Sequence, residues 1–316
     1  MCGACVGTPA DTLKRSTDTK EYNGSGPPDL GCLTNPASVK PLGVPKTVTL
    51  RGYVKIFANG PDSKNVKIEV FKEKLDGSKP TGQLGDAVGA AAFSVDKLAD
   101  GTGTKQETVV KSGTAQTRTL YPYELAGVPT ETPLIIKTSS KTSVDADGWF
   151  PLYDFNVVVR NDDATCATAD LGACFSSDGV YRYFARALGN DDYASILRAA
   201  YARAPEGGKS AIAGEVHDCA DVRLSNATVG IGPNPGLGLF YLSEEEDNPL
   251  PEASRHQTGR LGLYAAGGLQ PGTYTVGAAG KGPDGALTAL GSYPVQTFPD
   301  SVSVFTFRGL RPWQVK

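Results

Sequence analysis

Residues 47–57 (TVTLRGYVKIF) alternate apolar and polar side chains with a period of two, and a related pattern returns later in the chain. Val48, Leu50, Val54 and Ile56 fall on one face, the mark of a strand with one buried side. Residues 65–71 (NVKIEVF) alternate again, with Val66, Ile68 and Val70 inward. Residues 134–137 and 155–160 supply further strands. Asp145-Ala146-Asp147-Gly148 reads as a turn before Trp149 and Phe150. The stretch 76–118 is polar and rich in Gly and Thr, and reads as an insertion or an irregular hairpin.

The second half repeats the same plan. Residues 211–216 (AIAGEV) match the first strand, with Gly214 in the place of Gly52. Residues 224–231 (LSNATVGI) match the second. Residues 264–276 (YAAGGLQPGTYTV) parallel residues 123–136, each a strand, a Gly-containing turn and a strand, beginning on Tyr264 and Tyr123. A last strand is expected at 302–307. Short strands separated by Gly and Pro turns point to β-sandwiches.

The expected organisation is therefore all-β: two tandem sandwiches, at 46–160 and 209–316, with an irregular arm over 1–45 and a connection over 161–208. The connection carries the one good helix, 192–203, with Ile196, Leu197, Ala200 and Tyr201 at helical spacing. Asp191 and Asp192 stand at its start and Arg198 and Arg203 toward its end, as the helix dipole favours. The arm holds six prolines between Pro9 and Pro45 and shows no apolar period.

Composition narrows the function. Thirty-one Lys and Arg stand against 34 Asp and Glu, a net charge of −3, so no basic excess is available to neutralise nucleic-acid phosphates. No apolar run approaches the roughly 18 residues of a membrane helix. Gly 38 and Pro 22 favour turns over long helices, and two histidines leave little for a multi-histidine metal enzyme.

Cysteines stand at 2, 5, 32, 166, 174 and 219. None forms a paired CxxC zinc pattern, and six in a Gly/Pro-rich chain suggest an oxidising compartment. Cys5–Cys32 would clip the arm, and two of Cys166, Cys174 and Cys219 could pair. Met1 is the only methionine and reads as a start codon standing where a targeting segment was. The next four residues, Cys2-Gly3-Ala4-Cys5, resemble the start of a mature bacterial lipoprotein, in which the first Cys carries the lipid.

Residues 209–316 resemble the bacterial carboxypeptidase-regulatory-like, transthyretin-like sandwich domain. The motifs that carry the resemblance are IAGEVHDC at 212–219, LSNATVGI at 224–231, TGRLGLY at 258–264 and LQPGTYTV at 269–276. The first half matches more loosely, through VTLRGYVKIF, VDADGWF and LAGVPTETPLIIKT. The resemblance implies a secreted or lipid-anchored surface protein with a structural, adhesive or accessory role, in contact with protein or cell-surface partners. It implies no cofactor, and membrane contact only through a lipid on Cys2.

Individual residues suggest several chemistries. A related sandwich in intradiol dioxygenases binds iron with two Tyr and two His. Here His217 and His256 are too far apart in sequence to reproduce that family's closely spaced pair. His217-Asp218-Cys219 superficially suggests a nucleophile, but adjacent strand residues point to opposite faces. Asp145 and Asp147 are weak calcium candidates that lack the remaining ligands of an EF loop. The acidic run 244–247 reads as a solvated tip, with calcium or a basic partner as alternatives. Lys55, Asn156 and Glu69 are candidates for an internal isopeptide bond. Tyr121, Tyr123, Tyr181, Tyr183 and Trp313 are candidates for a sugar-stacking platform. The leading reading is a non-enzymatic surface lipoprotein. A filament subunit that assembles through the amino-terminal arm, a carbohydrate-binding module and a dioxygenase-like enzyme stand behind it.

Overall fold

The structure, a computed structural model, describes residues 9–58, 60–111, 113–142, 148–166, 173–233 and 236–314. It is nearly all β, with one helix of three turns at Asn190–Tyr201. The chain divides into two compact units, Leu42–Lys74 with Leu84–Tyr193, and Met1–Pro41 with Leu75–Gln83 and Ala194–Lys316.

The first unit is a sandwich of two sheets. In one, the strand Thr47–Ile56 pairs antiparallel with Pro122–Pro129 on one side. On its other side it runs parallel to Tyr181–Arg182 and Ala185–Gly189. These two pieces lie within 161–208, the segment read from sequence as a connection. In the other sheet, Leu134–Ser140 is central, between Val66–Asp76 and Leu152–Val157, both antiparallel to it. The alternation seen in sequence is what fills the space between the sheets. Leu50, Val54 and Ile56 meet Val66, Ile68, Val70, Leu134 and Ile136 in one core, closed by Tyr123, Trp149 and Tyr181. Each such side chain contributes roughly 1.5–3 kcal/mol by leaving water. Within the polar stretch 76–118, Lys105–Lys111 begins a regular two-stranded ribbon with Thr114–Leu120.

The second unit repeats the pairing of these main strands. Ser210–His217 pairs antiparallel with Leu263–Leu269 and parallel with Ser301–Phe305 and Phe307–Arg308. In the facing sheet, Gly272–Lys281 is central between Thr228–Gly232 and Leu287–Thr297. Ile212, Val216, Tyr264, Val276, Tyr293, Val295 and Phe305 are buried. Phe305 stacks on Tyr293 at 4.7 Å and meets Phe307 edge-on at 4.8 Å.

The repeat reaches single atoms. Gly52 lies opposite Tyr123 in register, and Gly214 lies opposite Tyr264. In each unit the parallel last strand breaks beside the glycine. A Cβ on Gly52 would stand 2.0 Å from the carbonyl oxygen of Tyr183, and one on Gly214 would stand 1.8 Å from that of Phe305. That same carbonyl accepts a hydrogen bond from the tyrosine hydroxyl, Tyr123 to Tyr183 at 3.0 Å and Tyr264 to Phe305 at 2.6 Å. Glycine is needed at both places because only it lets the last strand come this close.

The helix begins two residues earlier than its sequence pattern suggests. Its Leu197 lies against Gly267, and the Tyr201 hydroxyl donates to Gly238 O at 2.6 Å while accepting from Gly267 N at 2.8 Å. These contacts commit that face to the core of its own unit rather than to a partner.

Candidate functional site: a buried ionic cluster beneath an amino-terminal strap

Strand geometry puts Glu215 and His217 on the same face of Ser210–His217, opposite the face that carries Ile212 and Val216. The chain then turns tightly over Asp218–Val222, with Asp221 in the left-handed region at φ 60°. The turn returns Arg223 beside His217. Phe307–Arg308 runs parallel on the other side, with Arg308 in register with His217.

His217 is fully buried and held from both ends. Its Nδ1 lies 2.6 Å from Asp221 Oδ1, and its Nε2 lies 2.8 Å from Glu215 Oε2. Each ring nitrogen thus faces a carboxylate oxygen, and the two acids fix the orientation of the ring. Glu215 Oε2 also accepts from Arg223 Nε at 2.9 Å, and Arg223 Nη1 reaches Glu246 Oε1 at 3.1 Å. Arg308 pairs with the second oxygen of Asp221. Burial opposes the ionised form of Asp221, but Arg308 and His217 overcome it and hold the carboxyl well below the usual carboxylate range.

The cover of this cluster comes from the amino-terminal arm. The Tyr22 ring lies 4.8 Å from that of His217, with the guanidinium carbons of Arg308 and Arg223 at 5.2 and 5.6 Å from the Tyr22 centroid. The Tyr22 carbonyl also accepts the backbone N–H of Arg223 at 2.9 Å. Along the rest of the arm, Leu13 is buried against Gly280, where a Cβ would collide with it at 2.4 Å. Lys14–Arg15 pairs antiparallel with Leu224–Ser225. Asp218, wholly buried, accepts from Arg15 Nε at 2.6 Å and from the Asp29 backbone N–H at 2.8 Å. The Cys32–Cys219 disulfide then ties the arm to the turn covalently. Residues 9–32 of the arm thus form a strap docked on the carboxyl-terminal sandwich.

This geometry revises several expectations. Cys32 pairs with Cys219 and not with Cys5, because the strap runs to the 218–222 turn instead of doubling back on itself. Cys166 pairs with Cys174. Cys219 is a disulfide sulfur, and neighbouring Asp218 serves the strap, so no thiol nucleophile stands here. Cys2 and Cys5, and with them the lipid, fall outside the described residues, as do the calcium candidates Asp145 and Asp147.

The remaining candidates are dispersed. His256 is exposed on a loop while His217 is buried among carboxylates, so the two are not paired ligands. Among the described residues, no group of three or more His, Cys, Asp or Glu is placed to hold a metal ion. The acidic run is partnered by its own chain: Glu246 accepts from the backbone N–H of Lys20, Asp247 pairs with the Lys20 ammonium, and Glu244 pairs with Arg255. Glu69 pairs with Lys67 and Lys137, at 2.8 and 3.3 Å. Lys55 lies opposite Arg186 in register with its ammonium 4.4 Å from the Phe184 ring centroid, while the Glu69 carboxylate is committed to other lysines. Tyr123, Tyr181 and Trp313 are buried in cores, and no aromatic platform forms from this set.

The cluster has one chemical aptitude. Each ring nitrogen of His217 is occupied, and its carboxylates face cations, which leaves no free base, nucleophile or ligand set among these groups. It binds and holds the strap. Sequence reading missed Tyr22, Arg15 and Arg308 as its members because they are far apart in the chain. The dense run Glu215, His217, Asp218, Asp221 and Arg223 was the available signal.

No family model and no curated protein matches this chain. Among solved structures, the shaft pilin SpaA of Lactobacillus rhamnosus GG aligns at a TM-score of 0.22 and 11% identity, over 84% of this chain and 99% of that one. BcpA, the major pilin subunit of Bacillus cereus, aligns at 0.20 and 8%, over 84% and 71%. Likenesses this distant carry no argument about this protein. Among the described residues, no helix is long and apolar enough to cross a membrane.

Proposed function

We propose that the chain is an extracytoplasmic structural protein of the cell surface that presents two β-sandwiches from an amino-terminal tether and catalyses no reaction of its own. The observation that carries this reading is the strap. Asp218 holds Arg15, Arg223 donates to the carbonyls of Glu21 and Tyr22, and a disulfide completes the attachment of the amino-terminal segment. Two disulfides support an oxidising compartment. On this reading Cys2 carries the lipid and the strap transmits the anchor to the folded part.

The test is made on protein isolated from its own host. Intact mass is expected to show acyl mass on Cys2, and protease treatment of whole cells is expected to remove the protein from the surface. An unmodified Cys2 on a protein confined to the cytoplasm would sink the reading. Light scattering on the purified chain addresses the filament-subunit form of the same role: a monomer at high concentration removes it.

A further inference from the structure

The Cys32–Cys219 bridge spans 187 residues, and the first sandwich lies inside the loop that it closes. The bridge also sits where the chain leaves the second sandwich. Leu310 N–H donates to Cys32 Sγ at 3.2 Å, and a Cβ on Gly309 would stand 2.5 Å from Cys32 Sγ and 3.1 Å from Cys219 Sγ. The incoming covalent link and the outgoing carboxyl-terminal segment therefore meet at one spot. Tension between the two ends of the chain runs along covalent bonds. It passes from the strap through the disulfide to Cys219, through the second sandwich and out past Gly309.

We propose that the Cys32–Cys219 disulfide makes residues 33–218 a side loop outside the load path, so that the first sandwich is a branch on a force-bearing base instead of being strung in series with it. The inference rests on connectivity and not on the surface role proposed above. It holds for the purified protein whatever the anchor.

Single-molecule force spectroscopy on the full oxidised chain, pulled by peptide handles at its two ends, tests it. The expected record lacks any unfolding step from the first sandwich. In the Cys32→Ala/Cys219→Ala variant, which keeps Cys166–Cys174, the fully released length is expected to grow by about 600 Å, at roughly 3.3 Å per residue of loop. If that variant does not fold, thiol reductant added to single wild-type molecules already held under load is expected to release the same length. Release of the whole chain length by the oxidised protein would overturn the proposal. So would a released length that neither the variant nor the reductant changes.

Discussion

Tyr264 donates its hydroxyl hydrogen to the carbonyl oxygen of Phe305, inside the gap that Gly214 leaves open, and Tyr123 stands in the same relation to Tyr183 and Gly52. Burial pushes both phenols far above their ordinary range, so each remains a donor throughout the pH range of a folded protein. Tyr264→Phe leaves a buried carbonyl without its partner and is expected to cost about 1–3 kcal/mol in denaturant unfolding. Tyr123→Phe is expected to act in the same direction. Gly214→Ala and Gly52→Ala would press a methyl into a backbone oxygen and are expected to cost about 3 kcal/mol or more. Equal stability of the alanine variants and wild type would show that the last strands are not held this close.

Removing the Cys32–Cys219 bond frees a long loop in the unfolded chain. Cys32→Ala is expected to lower unfolding stability by about 3–5 kcal/mol, against a smaller loss of about 2 kcal/mol for Cys174→Ala, whose loop is only 8 residues. Non-reducing peptide mapping checks the pairing, and chemical denaturation checks the order of the two effects.

The strap cluster contains buried charge whose partners are mutually dependent. Glu215→Gln leaves His217 and Arg223 under-compensated in a buried place and is expected to cost about 3–5 kcal/mol. Asp221 is 42% exposed at its side chain, so Asp221→Asn is expected to cost less, about 1 kcal/mol. Cleavage of the strap by a protease, tracked over time, reads local release directly and is expected to quicken in both variants.

Asp221 also sets an acid limit. Its folded-state value lies below the unfolded one, so its contribution is complete above about pH 4 and is lost as pH falls through the folded value. Strap docking is expected to hold from neutral pH down to about pH 4 and to fail only in stronger acid. The Tyr22 environment, monitored by fluorescence, reports it. Release near pH 6 would contradict this assignment.

Lys55 gives stability a slope of the same sign at the alkaline end. Burial, together with Arg186, Lys105 and Arg118 and against the pull of Glu107, lowers its ammonium to about 8. The unfolded chain binds more protons than the folded one between there and the ordinary lysine value of about 10.4, so stability rises with pH across that window. The rise is expected to be on the order of 3 kcal/mol and to disappear in Lys55→Met.

Much of the fold was legible because one face of each strand is buried. Val48, Leu50, Val54 and Ile56, and the equivalence of Gly52 with Gly214, stand out in the bare sequence. The last strand of the first sandwich does not. Tyr181–Gly189 is broken by its own kink at Tyr183 and Phe184, and its parallel partner lies some 130 residues earlier, beyond any local period. The strap was invisible for a related reason. It has no core and no repeat, and its attachment depends on where Asp218, Asp221 and Arg308 come to lie. The cysteines can be counted, but spacing along a chain does not say which Sγ atoms meet.

The parallel pairing of first and last strands in each sandwich sets an order of events during synthesis. Neither sheet is complete until its final strand has emerged, so the first sandwich waits for Gly189 and the second for Arg308. The strap is made well before its seat, which is finished only when His217 and Arg308 are both out. Cys166 and Cys174 can join early, whereas Cys32 must travel as a thiol until Cys219 and its surroundings arrive. The earlier partner of each such contact is thus kept waiting for the later one.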